Sequence, residues 1–192
     1  MAPKRVVAKP VVLGAGRFLR LVKADGWEFV ERVRATGVVA IVAVTAEDEL
    51  ILTEQFRRSL NGRVIDLPAG LAGDGPGSEE LVTAARRELF EETGYDARRF
   101  TLLAHAPTSP GLTTEVVSFF RATGLKRAGE GGGVEGENIQ IHGVKLARCD
   151  AWLRDRSRKG IHIDCKVYAG LHFAAHMRTD GPTRPRRHAA RA

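Results

Sequence analysis

Cysteine, methionine, tryptophan and tyrosine each occur only twice in 192 residues, and aromatic residues make up just 6%. The two cysteines, Cys149 and Cys165, have neither a CxxC pattern nor any other metal-ligand spacing. That excludes a thiolate metal centre and fits a reduced, cytoplasmic protein. Long apolar runs are also missing. The longest, Val38 to Val44, is far short of a membrane span, so no membrane partner is expected. Acidic residues are absent before Asp25. The basic start has some of the composition of a transit peptide, yet no continuous apolar segment follows it, and it reads as a short arm.

A basic body is missing too, despite a formal net charge of +7. Lys4, Arg5 and Lys9 stand unopposed at the N-terminus. Five arginines face Asp180 alone over residues 178–192. These two ends carry the whole surplus, which leaves residues 11–177 neutral. A nucleic-acid-binding domain usually carries its basic patch on the folded body, so nucleic acid is not expected as a partner. Tails alone add only weak, salt-sensitive affinity.

What remains is an ordinary globular chain, 43% hydrophobic and 28% charged, of a size for one domain. Phe18 to Val22 and Trp27 to Val33 read as strands around the turn Ala24-Asp25-Gly26. Gly37 to Val44 is β-branched and apolar throughout, which predicts a buried strand. Glu49 to Phe56, Val64 to Leu67, Thr101 to His105, Val116 to Ala122 and Ile139 to Leu146 complete the strands. Glycine-rich loops are expected over Gly70 to Gly77 and Gly129 to Gly136. Ala151 to Arg156 and Lys166 to Met177 read as helices. Strands that do not alternate strictly with helices favour an α+β fold in layers. The Pro/Arg/Ala-rich end from Thr179 reads as disordered.

The clearest helix lies between Ser78, a suitable N-cap, and Gly94, a suitable stop. Glu79 and Glu80 fall in its expected first turn, where the helix dipole favours acids. Val82, Ala85 and Leu89 give it a core-facing stripe. Glu88, Glu91 and Glu92 sit at i, i+3 and i+4, so three carboxylates share one face. Like charges at that spacing destabilise a helix. The spacing fits either a solvated acidic face or a site for a hard divalent cation with oxygen ligands.

The whole stretch reads Gly73, five residues, Glu79, seven residues, then Arg87-Glu88-Leu89-Phe90-Glu91-Glu92-Thr93-Gly94-Tyr95. This pattern resembles the Nudix box at every fixed position. The resemblance implies an α/β/α sandwich with a mixed sheet, preceded by a small N-terminal antiparallel strand region. It implies that Glu88, Glu91 and Glu92 ligate Mg2+ or Mn2+. Arg87 adjoins them and is able to hold a carboxylate in place, although an arginine near glutamates is common. The implied reaction is attack of water on a diphosphate linked to another moiety.

The likeness extends over roughly Gly16 to Met177 and is closest to the ADP-ribose and nucleoside diphosphate sugar pyrophosphatases. Gln55-Phe56-Arg57 resembles an element whose arginine contacts phosphate, and Arg57 is a permanent forked donor suited to that task. Asp66-Leu67-Pro68-Ala69-Gly70 resembles a Glu-Leu-Pro-Ala-Gly segment whose alanine carbonyl, here that of Ala69, is a metal ligand. Ser109-Pro110-Gly111 with Glu115 resembles a loop lining the substrate cleft. Glu135-Gly136-Glu137 resembles a loop in which Glu135 is the general base and Glu137 completes the metal shell, though the two roles can be exchanged. Trp27-Glu28-Phe29-Val30-Glu31-Arg32 resembles a strand of the dimer. There Trp27 stacks on an adenine, and Glu28 and Arg32 face base and ribose. An indole is a good flat partner for a purine, and a strand tryptophan can equally be half-buried.

The implied organisation is an arm over residues 1–15, a hydrolase domain over 16–177 and a basic tail over 178–192. Residues 16–35 would form a homodimer. The implied substrate is a small nucleotide sugar, first ADP-ribose, giving AMP and ribose 5-phosphate. GDP-mannose, another such sugar or a dinucleotide is the alternative. A catalytically silent ligand-binding module is a reading of another class. Two departures mark this chain. Arg58-Ser59-Leu60 replaces the prolines common after the Gln-aromatic-Arg element, and the run from Leu71 to Ser78 is longer than usual.

Overall fold

Alternate residues of the run Gly37–Ala43 point to opposite faces of a strand, and both faces are apolar, so helices must cover both. The computed structural model describes residues 9–73, 79–134 and 136–176 and has that arrangement. A meander of β1 (Val11–Ala15), β2 (Leu19–Ala24) and β3 (Trp27–Arg32) forms an antiparallel sheet of its own. The turn between β2 and β3 places Asp25 and Gly26 at positive φ, as a tight two-residue hairpin turn requires. Then follow β4 (Gly37–Ala43), β5 (Glu49–Arg57), β6 (Gly62–Asp66), β7 (Ala69–Ala72), helix α1 (Leu81–Thr93), β8 (Tyr95–Pro107) and β9 (Val116–Arg127). The chain continues through β10 (Gln140–Lys145), α2 (Leu146–Arg158), β11 (His162–Ile163) and α3 (Cys165–His176).

One sheet has the order β7-β4-β9-β8 and the other β10-β5-β6-β11. Both are mixed: β4 pairs with β9 in parallel, and β11 with β6, while the other pairs are antiparallel. Val38, Ala40 and Val42 of β4 pack towards α2 and α3, with Leu52, Leu67, Leu153 and Val167. Val39, Ile41 and Ala43 pack towards α1, with Ala84, Ala85 and Leu89. The result is the expected α/β/α layering with a separate N-terminal sheet.

Several local expectations shift. A strand, β1, occupies part of the segment read as an arm. Tyr95 to Pro107 is one long strand with a register shift between Leu102 and Ala104. The first residues of the expected loop from Gly70 instead form β7, because Ala69 to Ala72 pair with Ala40 to Gly37. Helix α1 begins at Leu81, with Glu80 as its extended N-cap residue, so Glu79 and Glu80 precede the first turn. Ser78, residues 1–8 and the tail from 177 lie outside the described residues. Within α1, Ala84, Ala85, Leu89, Glu92 and Thr93 are buried, whereas Val82 is 40% exposed. Leu89 and Thr93 lie on the same side of the helix as Val82, so Val82 is exposed by its place in the first turn. Gly94 closes α1 in the left-handed conformation, as expected.

Truncating Leu89 to Ala should destabilise the protein by about 2–5 kcal/mol through the cavity it leaves. Val82→Ala on the same helix should stay within about 0.5 kcal/mol. Urea unfolding of both variants checks this; equal losses would mean that the helix is oriented differently.

Candidate active site

A cleft of about 540 Å³ opens where the two larger sheets meet the N-terminal one. Ala69, Gly70 and Leu71 of β7 line it, with Glu88 and Glu92 of α1 and Glu137 from the loop before β10. Arg57, Ser59 and Leu60 line another part, and Arg32 and Glu115 a third. Of the residues singled out in the sequence, Arg32, Arg57, Ala69, Glu88, Glu92, Glu115 and Glu137 therefore meet here.

The acidic side of the cleft is organised by backbone and by one arginine. The Ala69 N–H donates to Glu92 Oε2 at 3.0 Å. Glu92 is only 5% exposed. Burial pushes its carboxyl up to about 8, and the charges of Glu88, Asp66 and Glu137 add to the effect, while the Ala69 hydrogen bond opposes it. A side chain on Gly70 would run into the Glu88 carboxyl, so glycine there lets the carboxylate lie against the strand. Arg87 donates to Glu79 through Nε (3.0 Å) and a terminal nitrogen (3.1 Å), and to Glu88 (2.9 Å), Glu91 (3.0 Å) and the Leu71 carbonyl (2.9 Å). The hydrogen bond from Arg87 holds Glu79 below the ordinary carboxylate range, and the pairing with Glu79 strengthens the charged form of Arg87 in return. Arg87 reaches the cleft through Glu88, which makes it a positioning residue. Glu91 is turned to Arg87 as well.

The donor set suits a hard cation: carboxylates of Glu88, Glu92 and Glu137 beside the backbone of Ala69, all oxygen ligands. Among the described residues no three acidic, histidine or cysteine side chains already converge on one point. Glu88 is held by Arg87 and Glu92 by the Ala69 N–H. Glu135 lies outside the described residues.

The phosphate-side departure is now explicit. Arg58–Leu60 form a 3-10 turn, and Asn61 follows in the left-handed conformation, so the β5–β6 connection is tight without prolines. Among the described residues Arg57 has no ion-pair partner, and it lines the cleft.

Trp27 and Glu28 stand apart. Trp27, 68% exposed, lines a neighbouring apolar hollow of about 550 Å³ with Phe29, Pro107, Pro110 and Gly111. Glu28 faces its cross-strand partner Lys23 at 3.9 Å. Glu115 belongs to the walls of both cavities and accepts hydrogen bonds from Arg32 at 2.8 and 2.5 Å. Two further residues went unread in the sequence. Lys166 bridges Asp66 (3.0 Å) and Asp164 (2.8 Å) on the cleft wall. Burial pushes Asp66 up to about 6, and the charge of Lys166 opposes that rise only in part. Asp164 also accepts the Lys166 N–H at the start of α3. An aspartate ahead of an apolar helical stretch is a readable N-cap signal, and it points to this corner.

A sequence profile described as the NUDIX domain matches residues 34–158. A methanol dehydrogenase activator of Bacillus methanolicus is 35% identical over 127 residues, 66% of this chain and 67% of that protein. An ADP-ribose pyrophosphatase of Bacillus subtilis strain 168 is 42% identical over 95 residues, and the match spans half the length of each chain. A GDP-mannose pyrophosphatase of Cronobacter sakazakii is 30% identical over 142 residues, 70% of each. A solved structure described as an ADP compounds hydrolase superposes with a TM-score of 0.68 over 90% of this chain and 92% of its own, at 21% identity, which bears on the fold.

The buried Glu92 sets a pH dependence. Its folded-state value of about 8 lies above the ordinary 4.5, so the folded protein keeps a proton that the unfolded chain releases. Stability from this group is therefore full below about 4.5 and is lost as pH rises towards 8. Thermal melts with chelator between pH 5 and 9 should fall with pH, and Glu92→Gln should flatten that slope. An unchanged slope in the variant would contradict the burial assigned to Glu92.

Proposed function

This chain belongs to the NUDIX family, and on that premise we propose that it hydrolyses the diphosphate bond of a nucleoside diphosphate sugar. ADP-ribose is the first candidate, with AMP and ribose 5-phosphate as products. What supports this reading is one observation: Glu88, Glu92, Glu137 and the Ala69 backbone face the same cleft as Arg57. The ADP-ribose and GDP-mannose pyrophosphatases among the relatives act on the same linkage, and GDP-mannose is the second candidate.

The carboxylates of Glu88, Glu91, Glu92 and Glu137 with the Ala69 carbonyl would hold Mg2+ or Mn2+, whose charge neutralises a diphosphate and lowers the pKa of a water. Arg57 braces a phosphate through its forked donors. Glu135 accepts the proton of the attacking water, or Glu137 does if the two exchange roles. Arg87 keeps Glu88 and Glu91 aimed by hydrogen bonds. Arg32, held by Glu115, faces the sugar side, and Trp27 offers a flat apolar face to a base, with Glu28 beside it.

The protein is read as a homodimer. Val11, Val12, Leu13, Phe18, Leu19 and Leu21 expose apolar surface on or beside the N-terminal sheet, and a second copy would cover it. The described cysteines are both unpaired, which agrees with a cytoplasmic setting. No helix among the described residues is long and apolar enough to cross a membrane.

Product analysis with Mg2+ or Mn2+ on ADP-ribose, ADP-glucose, GDP-mannose, NADH and an oxidised dGTP tests the reading. AMP and ribose 5-phosphate from ADP-ribose are expected, and no hydrolysis of any of them would refute it. Glu92→Gln should cut turnover by orders of magnitude with the fold intact, whereas near-normal turnover would remove Glu92 from the metal site.

A further inference from the structure

We infer that Gly131–Gly133 position Glu137 by docking its loop onto the last turn of α1; the inference rests on the reading of the cleft given above. A helix end leaves its last carbonyls without partners. Here the loop supplies them. The Gly132 and Gly133 N–H groups donate to the carbonyls of Glu92 (2.9 Å) and Glu91 (3.0 Å). The N–H groups of Ala128 and Gly129 donate to the carbonyl of Gly94 (2.8 and 3.0 Å). Two residues of the acidic helix thus offer carboxylates through their side chains and anchor points through their backbones.

The docking is too close for any side chain. A Cβ on Gly131 would overlap the backbone of Thr93 and Gly94, which cannot move without unwinding the end of α1. A Cβ on Gly133 would stand 2.5 Å from Glu137 Oε2 and 2.8 Å from the Glu137 Cβ. Both glycines have positive φ, of 72° and 90°. Beyond the dock the loop closes on itself. The Ile139 N–H donates to the Gly132 carbonyl (3.2 Å), the Glu137 N–H to the Val134 carbonyl (3.0 Å) and the Val134 N–H to Glu137 Oε2 (3.1 Å). Buried Ile139 pins the far side. The separation of Glu137 from Glu88 and Glu92 is therefore set by main chain against main chain, and the glycines act through Glu137.

Kinetics of Gly131→Ala and Gly133→Ala test this, with Gly129→Ala as control. A Cβ on Gly129 would meet the exposed Phe90 ring at 3.1 Å and the Gly94 Cα at 3.8 Å, an ordinary contact. Gly131→Ala should lower kcat roughly 100-fold with KM for the nucleotide sugar unchanged. It should also raise the Mn2+ concentration for half-maximal activity about tenfold. The control should match the wild type. A folded Gly131→Ala protein with wild-type kcat and Mn2+ dependence overturns the inference. If that variant does not fold, Gly133→Ala decides in the same way, since its clash is with a side chain. If the wild type hydrolyses no nucleoside diphosphate derivative, the functional reading falls separately. Calorimetric Mn2+ binding then decides the docking: weaker binding in the variant supports it, and equal binding overturns it.

Discussion

The five hydrogen bonds donated by Arg87 join three segments that would otherwise separate: the lead-in at Glu79, strand β7 at Leu71 and the acidic face of α1. Carboxylates at i, i+3 and i+4 repel one another. A guanidinium placed one residue before the first of them offsets that repulsion while leaving the inner carboxylate, Glu92, to the backbone of Ala69. The placement of α1 against β7 follows from this pairing, and the placement of the cleft follows from α1.

Two other constraints act on the same helix. Its apolar side must fit Val39, Ile41 and Ala43 of β4, while its last turn must accept the glycine loop. Burying Glu92 between these demands gives it a proton affinity far above the ordinary range. A rigid backbone frame around a carboxylate that resists ionisation is a frame that favours a compensating positive charge.

The helix and its chemistry were legible because they are local: the box spans consecutive residues, and glutamate spacing maps directly onto a helix face. The buried strand Gly37–Ala43 was legible for the same reason, since a run apolar on both faces has one arrangement that satisfies it. What was hidden depends on pairing between distant segments. β7 looked like loop because its sequence, Ala-Gly-Leu-Ala, carries no alternation, and only its register with β4 makes it a strand. Val82 looked like core because it shares a helix face with Leu89, but it stands in the first turn, where that face is still exposed. The pairings of Lys166 with Asp66 and of Arg32 with Glu115 are made across the fold, between residues that no single motif contains. The glycine-rich loop before Glu137 is tied at Gly132 and Gly133, because glycine reads as freedom in a sequence and serves here as clearance.

Glu115 stands in the wall between two cavities of nearly equal size, one apolar around Trp27 and one charged around Glu88 and Glu92. A ligand filling both must cross that carboxylate, with its flat apolar end on one side and its anionic middle on the other. Its ion pair with Arg32 leaves that wall close to neutral, so the two chambers differ in polarity while the boundary between them favours neither sign of charge.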